Sequence, residues 1–325
     1  GVVNLVTAVS EAHLAYSPLV AIAGAISRDQ AGRDTFQEVD QQALFAPISK
    51  SQARLTPATG AQDFADMFAR AATEPPGPVH IDLSAKDAGS PPATPAVSAP
   101  ADEREIDGDA LGKAAALIVN AKRPVLIVGH QCRAADRAVA ATALATSVNG
   151  PVMTTYKAKG VISETNPLNV GLFTNARLDG TVLAEADLIV FCGVDPVEMI
   201  PGKWTPEVPV VVLSETGGLA WPFEAEAEIA GPVANSAAQL AEHAVGDNWE
   251  PARIADLKSH IRNTLANNGD EGRFPDTVID AVSDAAPAGT RLAVDAGAHM
   301  FSAMTRWPAE APHDVLKSNG LSTMG

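Results

Sequence analysis

The sequence predicts an α/β protein built from consecutive doubly wound, Rossmann-like domains with parallel sheets. Three observations predict it. Short apolar runs ended by glycine recur, as in Pro18-Leu-Val-Ala-Ile-Ala-Gly24 and Pro124-Val-Leu-Ile-Val-Gly129, which is how strands buried on both faces read. Segments with apolar residues at helical spacing lie between such runs, so helix and strand alternate. A stretch of Pro, Ala and Ser from Gly89 to Pro100 has almost no large apolar side chain; it cannot bury a core and reads as an extended tether between domains.

Composition sets the outer limits. A chain of 325 residues with 46% hydrophobic and 19% charged residues has ample material for two or three domains. The formal net charge of −16 argues against nucleic acid or an anionic membrane as partner. No apolar run approaches the roughly 18 residues of a membrane span. The opening segment reads as an amphipathic helix rather than a signal peptide. Cys132 and Cys192 lack metal-ligand spacing and fit a reducing, cytoplasmic setting. The chain starts without Met and both its ends fall inside motifs, so a piece of a longer protein is expected.

In chain order, Asn4–Ala15 reads as a helix and Pro18–Gly24 as a buried strand. Helices are expected over Phe36–Phe45 and Ala61–Ala72, the latter with Phe64, Met67, Phe68 and Ala71 on one face. Gly77–Leu83 reads as a second buried strand. After the tether come a helix over Asp109–Asn120, a strand over Pro124–Gly129 and a helix over Ala135–Val148. Further strands are expected at Pro151–Thr155, Leu188–Cys192, Val208–Leu213 and Ala225–Ala230. Helix is expected to end over Leu183–Asp187 and to run over Ser236–Ala244, Ala255–Asn267 and Pro275–Val282. The expected boundaries are 1–88, a linker at 89–107, a central domain at 108–246 and a last region at 247–325.

The most informative stretch is the last. Arg291-Leu-Ala-Val-Asp295-Ala-Gly297-Ala-His299 reads as a strand breaking at glycine into a helix that starts near Ala298. Such a turn presents free backbone N–H groups to an anion, usually a phosphate. Downstream, Ser318-Asn-Gly320-Leu-Ser322-Thr-Met324-Gly325 places small residues where a ligand could approach the backbone closely.

Asp295-x-Gly297-x-His299 followed by Gly320-Leu-x-x-Met324-Gly325 resembles the start of the diphosphate-binding domain of thiamine diphosphate enzymes, in the acetolactate synthase and 2-oxoacid decarboxylase group. A second signature sits near the other end. Gly1-Val-Val-Asn4 resembles the end of the family's G-P-G-x-x-N turn. Gly32-Arg-Asp-Thr-Phe36-Gln37-Glu38 resembles its G-x-x-x-F-Q-E segment, and Gly77-Pro-Val with Asp82 its P-G-P-V-x-x-D strand. The resemblance implies the thiamine diphosphate-enzyme fold: the C-terminal part of a pyrimidine-binding domain at 1–88, and connecting helices with the start of a diphosphate-binding domain at 247–325. It implies that Phe36 and Gln37 lie by the active-site channel and meet substrate. It implies that Asn4, Gly297, His299, Gly320, Ser322 and Met324 bind the cofactor, with Met324 wedged between its two rings. Arg33 stands where synthases carry a small residue; it could bind an acidic substrate group or be a surface charge. Lys50, where many relatives have Lys-His, reads as a strand-end surface charge.

In FAD-containing acetolactate synthases the central domain carries a G-x-R-F-D-D-R segment. Here the matching strand end is Gly193-Val-Asp195-Pro-Val-Glu198-Met, and Gly129-His-Gln-Cys lacks a dinucleotide glycine pattern. No FAD is expected, and the central domain reads as structural. Lys157-Ala-Lys159-Gly160 resembles the family's T-x-x-x-K-G loop, its lysines solvated or facing an anionic part of the substrate. The family's chemistry is the cofactor's: thiamine diphosphate with Mg2+ acting on a 2-oxoacid, with two subunits of a homodimer or homotetramer sharing each active site. The glutamate that activates the cofactor and the Mg2+ ligands fall outside this sequence; Gly269-Asp-Glu-Gly272 reads as a loop. The 325-residue chain alone is therefore expected to be inactive. Two alternatives stay open: a non-FAD decarboxylase or an acyltransferase such as sulfoacetaldehyde acetyltransferase, and a catalytically inactive binding protein of the same fold.

Overall fold

A computed structural model describes residues 1–33, 35–56, 60–88, 104–243, 249–265, 275–318 and 321. The expected linker up to residue 103, the Gly269–Gly272 loop and the predicted cofactor residues Gly320, Ser322 and Met324 lie outside the described residues. The chain divides into two compact units, one running to Asp102 and the other from Glu103 to Lys317; Ser318 and Leu321 side with the first.

The first unit holds α1 (Leu5–Leu14), β1 (Leu19–Gly24), α2 (Gln41–Phe45), β2 (Ser51–Arg54), α3 (Gly60–Ala72), β3 (Pro78–Leu83) and a short α4 (Ala85–Ala88). Its three strands form a parallel sheet in the order β1-β3-β2. The pleat sends Val79 and Ile81 of β3 to the α3 side, where they pack with Leu55, Met67 and Ala71. His80 and Asp82 therefore face the other side, over which α2 lies with Phe45.

The helix expected over Phe36–Phe45 is shorter, and begins only at Gln41. Gln37 has φ 67°, which an α-helix cannot accommodate. Asp40 then caps α2 by accepting from the Ala43 N–H at 2.9 Å. On α3, Met67 and Ala71 are buried but Phe68 remains half-exposed. Strand β2 follows Lys50, which the sequence reads as a strand-end charge, but its range had no apolar run to announce it: Ser-Gln-Ala-Arg is a polar edge strand.

The second unit opens with α5 (Gly108–Asn120), capped by Asp107, which accepts from Asp109 and Ala110 N–H. There follow β4 (Pro124–Val128), α6 (Ala135–Val148), β5 (Val152–Thr154), β6 (Asn169–Leu172), α7 (Gly180–Leu183), β7 (Leu188–Cys192), β8 (Val210–Ser214), β9 (Ala227–Ala230) and α8 (Val233–Ala241). These six strands are all parallel and ordered β6-β5-β4-β7-β8-β9, so the strand order reverses between β4 and β7. Alternate residues of β4 serve opposite faces: Leu126 and Val128 pack with α5, α6 and α8, Val125 and Ile127 with α9 (Pro251–Leu265). Helix α7 stops at Leu183, short of the expected Asp187, whose carboxylate instead receives the Lys122 and Arg123 N–H groups at 2.7 Å.

The remainder is α10 (Pro275–Ala285), β10 (Leu292–Val294), α11 (Ala298–Arg306) and β11 (Val315–Lys317). Strands β10 and β11 pair in parallel, and Val294, Met300, Met304 and Trp307 form a small core beside them. Among the described residues no helix is long and apolar enough to cross a membrane.

Candidate functional site

The turn between β10 and α11 has the geometry its sequence predicts. Strand β10 ends at Val294, Asp295 accepts from the Ala296 N–H at 2.8 Å, and Gly297 takes φ 146° before the helix begins at Ala298. A side chain there would be strained by that φ, and its Cβ would lie 2.9 Å from the His299 ring. Glycine is thus required by the backbone, whereas the exposed imidazole could turn aside. Gly297, Ala298 and His299 are exposed, so the first N–H groups of α11 and an imidazole are open together on one surface. That arrangement suits a phosphate or diphosphate: a helix start with no side-chain cap among the described residues, a glycine that lets a ligand approach, and an imidazole alongside. Of the downstream motif, Ser318 Oγ and the Leu321 N–H both donate to Glu11 Oε2, at 3.0 and 3.2 Å.

In the first unit Phe36 and Gln37 share the tip of the loop between β1 and α2. Phe36 is 86% exposed. The loop is braced behind that tip: the Glu38 carboxylate accepts from the Gly32 N–H at 2.5 Å and the Thr35 N–H at 3.0 Å, and Thr35 Oγ1 donates to Gln30 O at 2.8 Å. Hydrogen bonds from Gly32 and Thr35 hold the Glu38 carboxyl below its ordinary pKa. Arg33 is exposed on the same loop. Asn4 is exposed at the start of α1, its side chain making no capping hydrogen bond. Lys50 precedes β2 and is exposed, and its ammonium is tied to the end of α3, donating to Arg70 O and Thr73 O at 2.6 Å.

The carboxyl ends of the central strands are where an open α/β sheet places a ligand, at the point where strand order reverses. Here that place is filled with protein. Gly129 ends β4 against the loop after β7, and a Cβ on it would come within 2.2 Å of Val194 Cα. Glu198 is buried and accepts from the His130 N–H at 3.1 Å, the Asp195 N–H at 3.2 Å and Thr155 Oγ1 at 2.5 Å, with His130 Nδ1 2.9 Å away. Burial would raise its pKa, but His130 and these hydrogen bonds outweigh that and hold it below the ordinary value. Glu215, also buried, is engaged by Arg104, by Arg137 Nε at 3.1 Å and by the Val233 N–H at 3.1 Å.

Sequence reasoning missed both knots, since their partners come from different strand ends and no local spacing joins them. The capping box Asp195-Pro-Val-Glu198 was the one visible signal. Lys159 corrects both expectations for it: it is neither solvated nor facing a ligand, but buried and ion-paired with Glu164, and burial lowers its pKa. Cys132 and Cys192 are free, buried thiols with Sγ atoms 3.6 Å apart.

With the geometry in place, comparison with known proteins gives a consistent picture. Residues 111–240 match the thiamine pyrophosphate enzyme central domain, and residues 1–44 match the thiamine pyrophosphate enzyme N-terminal TPP binding domain. Across its whole length the chain is 28% identical over 339 residues to the acetolactate synthase isozyme 1 large subunit of Escherichia coli (strain K12). It is 31% identical over 353 residues to the acetolactate synthase large subunit of Parasynechococcus marenigrum (strain WH8102). It spans 59% and 55% of the length of those two relatives. A solved structure from Mycobacterium smegmatis, described as a candidate thiamin diphosphate-dependent enzyme, superimposes with a TM-score of 0.81 over 100% of this chain and 64% of that one. Its identity is 20%, so this likeness speaks to the fold.

Proposed function

Because the chain belongs to the thiamine pyrophosphate enzyme family, we propose that it serves thiamine diphosphate-dependent decarboxylation or carboligation of a 2-oxoacid, in the manner of an acetolactate synthase. The observation that carries this reading is the β10–α11 turn, where Gly297 at φ 146°, an open helix start and His299 meet on one surface. Those residues fit the diphosphate of the cofactor: backbone N–H groups of α11 bind it, and His299 adds a side-chain donor. When bound, the cofactor supplies the carbon nucleophile and the electron sink that decarboxylation needs. The chain's own residues bind and orient. Phe36 gives the substrate an apolar surface, Gln37 a hydrogen-bonding amide, and Asn4 with Gly320, Ser322 and Met324 complete the cofactor contacts.

The reading extends to the rest of the assembly. Mg2+ is held by ligands outside this sequence. Two copies in a homodimer or homotetramer share each active site, with no nucleic-acid or membrane partner, in the cytoplasm. The division into 1–88, 89–107, 108–246 and 247–325 describes parts of the pyrimidine, linker, central and diphosphate regions. We assign no FAD to the central domain; engagement of Glu198 and Glu215 by protein donors supports this. Exposed Arg33 favours a second reading, an acyltransferase relative whose substrate carries an acidic group.

Calorimetric titration of the natural-length protein with thiamine diphosphate and Mg2+, followed by product analysis with pyruvate and with a sulfonated aldehyde, tests the reading. Metal-dependent binding and a pyruvate-derived product are expected. A protein that binds no thiamine diphosphate with Mg2+ present would sink it, and product from the sulfonated aldehyde alone would select the acyltransferase. The 325-residue chain by itself is expected to give no turnover.

A further inference from the structure

The loop between β1 and α2 has an exposed tip and a buried root, and the root is built from an unusual set of side chains. Where the chain leaves β1, the Arg54 guanidinium donates to Ile26 O, and the Ala25 N–H donates to Leu83 O at 3.0 Å. Where it returns, Gln41 opens α2 and its Nε2 donates to Gly24 O at 2.9 Å. The two ends are thus fastened at the carboxyl end of the same sheet. Behind this fastening, Arg54 and Asp82 are register partners in neighbouring strands, and His80 stands two residues before Asp82 on the same face. His80 Nε2 is 3.6 Å from Asp82 Oδ1, and its ring stacks on Phe45 at 4.3 Å.

This root is costly in hydrogen bonds. Gln41 Oε1, Arg54 Nε, both ring nitrogens of His80 and Asp82 Oδ1 are buried with no hydrogen-bond partner in the protein, five of seven such atoms among the described residues. Buried polar groups are almost always paired. Apolar side chains would seal the carboxyl end of the sheet without these orphans, but they could not grip the carbonyls of Gly24 and Ile26. A sequence that keeps polar groups where packing alone would favour apolar ones marks a place with a duty other than stability. The tip shows the same preference: an 86% exposed Phe36 and a left-handed Gln37 are held in place by the braces from Glu38 and Thr35.

We propose that Arg54 and Gln41 are positioning residues: by holding the carbonyls of Ile26 and Gly24 they fix the root of the loop, and through it the stance of Phe36 and Gln37 toward the 2-oxoacid. The inference rests on the reading that Phe36 and Gln37 meet substrate. Arg54 and Gln41 themselves touch neither substrate nor cofactor in this scheme. They act on binding, so their loss raises KM and leaves kcat near its starting value.

The test uses the natural-length holoprotein with Arg54→Met, Arg54→Lys and Gln41→Leu, read by hydrogen exchange and by steady-state kinetics with pyruvate. In Arg54→Met and Gln41→Leu, amide exchange over residues 25–40 is expected to quicken about tenfold while that of β4 stays unchanged. KM for pyruvate is expected to rise about tenfold with kcat within about twofold, and Arg54→Lys to recover part of both effects. Should one of the apolar variants fail to fold, the other carries the same comparison from the opposite end of the loop. Unchanged exchange over 25–40 overturns the proposal at its structural step. Quickened exchange with unchanged KM overturns control of substrate binding. Phe36→Ala then locates the fault: if it too leaves KM unchanged, the reading of Phe36 has failed, and if it raises KM, only the link through Arg54 and Gln41 has.

Discussion

Two turns in the second unit share a plan: a parallel strand ends, a glycine follows, and a histidine lies one or two residues on. After β4 these are Gly129 and His130; after β10 they are Gly297 and His299. They are furnished in opposite ways. Gly129 is needed because backbone packs on it, with Val194 Cα 2.2 Å from where a Cβ would be, and its histidine is buried against Glu198. Gly297 is needed for its own φ of 146°, and its histidine is exposed. The first turn satisfies its polar groups with protein and shuts; at the second, the helix start receives no side-chain cap among the described residues and the imidazole is exposed. Local pattern alone does not separate a sealed strand end from a binding one. What separates them is whether the donors already have partners.

The sharpest way to break this contrast is to unseal the first turn. Glu198→Ala leaves His130 and Thr155 facing a buried void, and the loss of one partner of a buried pair is expected to lower stability by about 3–5 kcal/mol. Thermal unfolding should then move down by roughly 2–4 °C for each kcal/mol in a unit of this size. The pH dependence follows from the direction of the shift. Glu198 has a folded pKa below its ordinary 4.5, so its contribution is fully present above pH 4.5 and fades as pH falls through the depressed value. Glu198→Gln should flatten the acid limb of the stability curve below pH 4.5. An unchanged acid limb would mean that the knot does not hold the sheet end.

Gly129→Ala probes the same turn through its backbone. A Cβ at 2.2 Å must push the loop after β7 away, and a cost of about 1–3 kcal/mol is expected from such overpacking. Affinity for thiamine diphosphate, measured by calorimetry in the natural-length protein, should stay within about twofold, within the additivity expected of separate sites. A large loss of affinity would show that the first turn is a ligand site after all.

What the sequence disclosed follows from what each element buries. Val125 to Val128 and Leu188 to Cys192 are buried on both faces, so their apolar runs were unmistakable. The edge strand β6 was not found: Asn169-Val-Gly-Leu contains a glycine at φ 131° and a register shift, and it lacks a run. Strand β11 is three residues long and was hidden by its exposed Leu316. The Gly297–His299 turn was legible because strand, glycine and helix start are consecutive in sequence. Phe36 and Gln37 were legible as a motif, but their helix was not real, since one left-handed residue decides that segment. The knots at Glu198, Glu215 and the Arg54 root were not legible, because each joins strand ends that are distant along the chain.

At the second turn the comparison is sharpened by His299→Ala. The side chain is exposed and its removal should leave thermal unfolding within about 0.5 kcal/mol of the parent. If the imidazole donates to a diphosphate, a hydrogen bond to a charged group is lost, about 1.5–3 kcal/mol, or roughly 10- to 150-fold in affinity by titration. Unaltered affinity would leave the α11 backbone as sole anchor.

The smallest structural effect, and the most demanding contrast, is expected at the loop tip. Phe36 is 86% exposed and supports nothing within its own unit. Phe36→Ala should therefore change stability by less than about 0.5 kcal/mol, where a core Phe would cost about 3–5 kcal/mol. One exposed apolar side chain is ordinary by itself, so the proposed contact with substrate is what the variant has to show. KM for pyruvate is the quantity that should respond, since an apolar contact made equally in ground and transition states alters binding alone. A variant with unchanged melting and unchanged KM would leave Phe36 without a role, and the braced loop would then have to present some other residue, with exposed Arg33 the next to test.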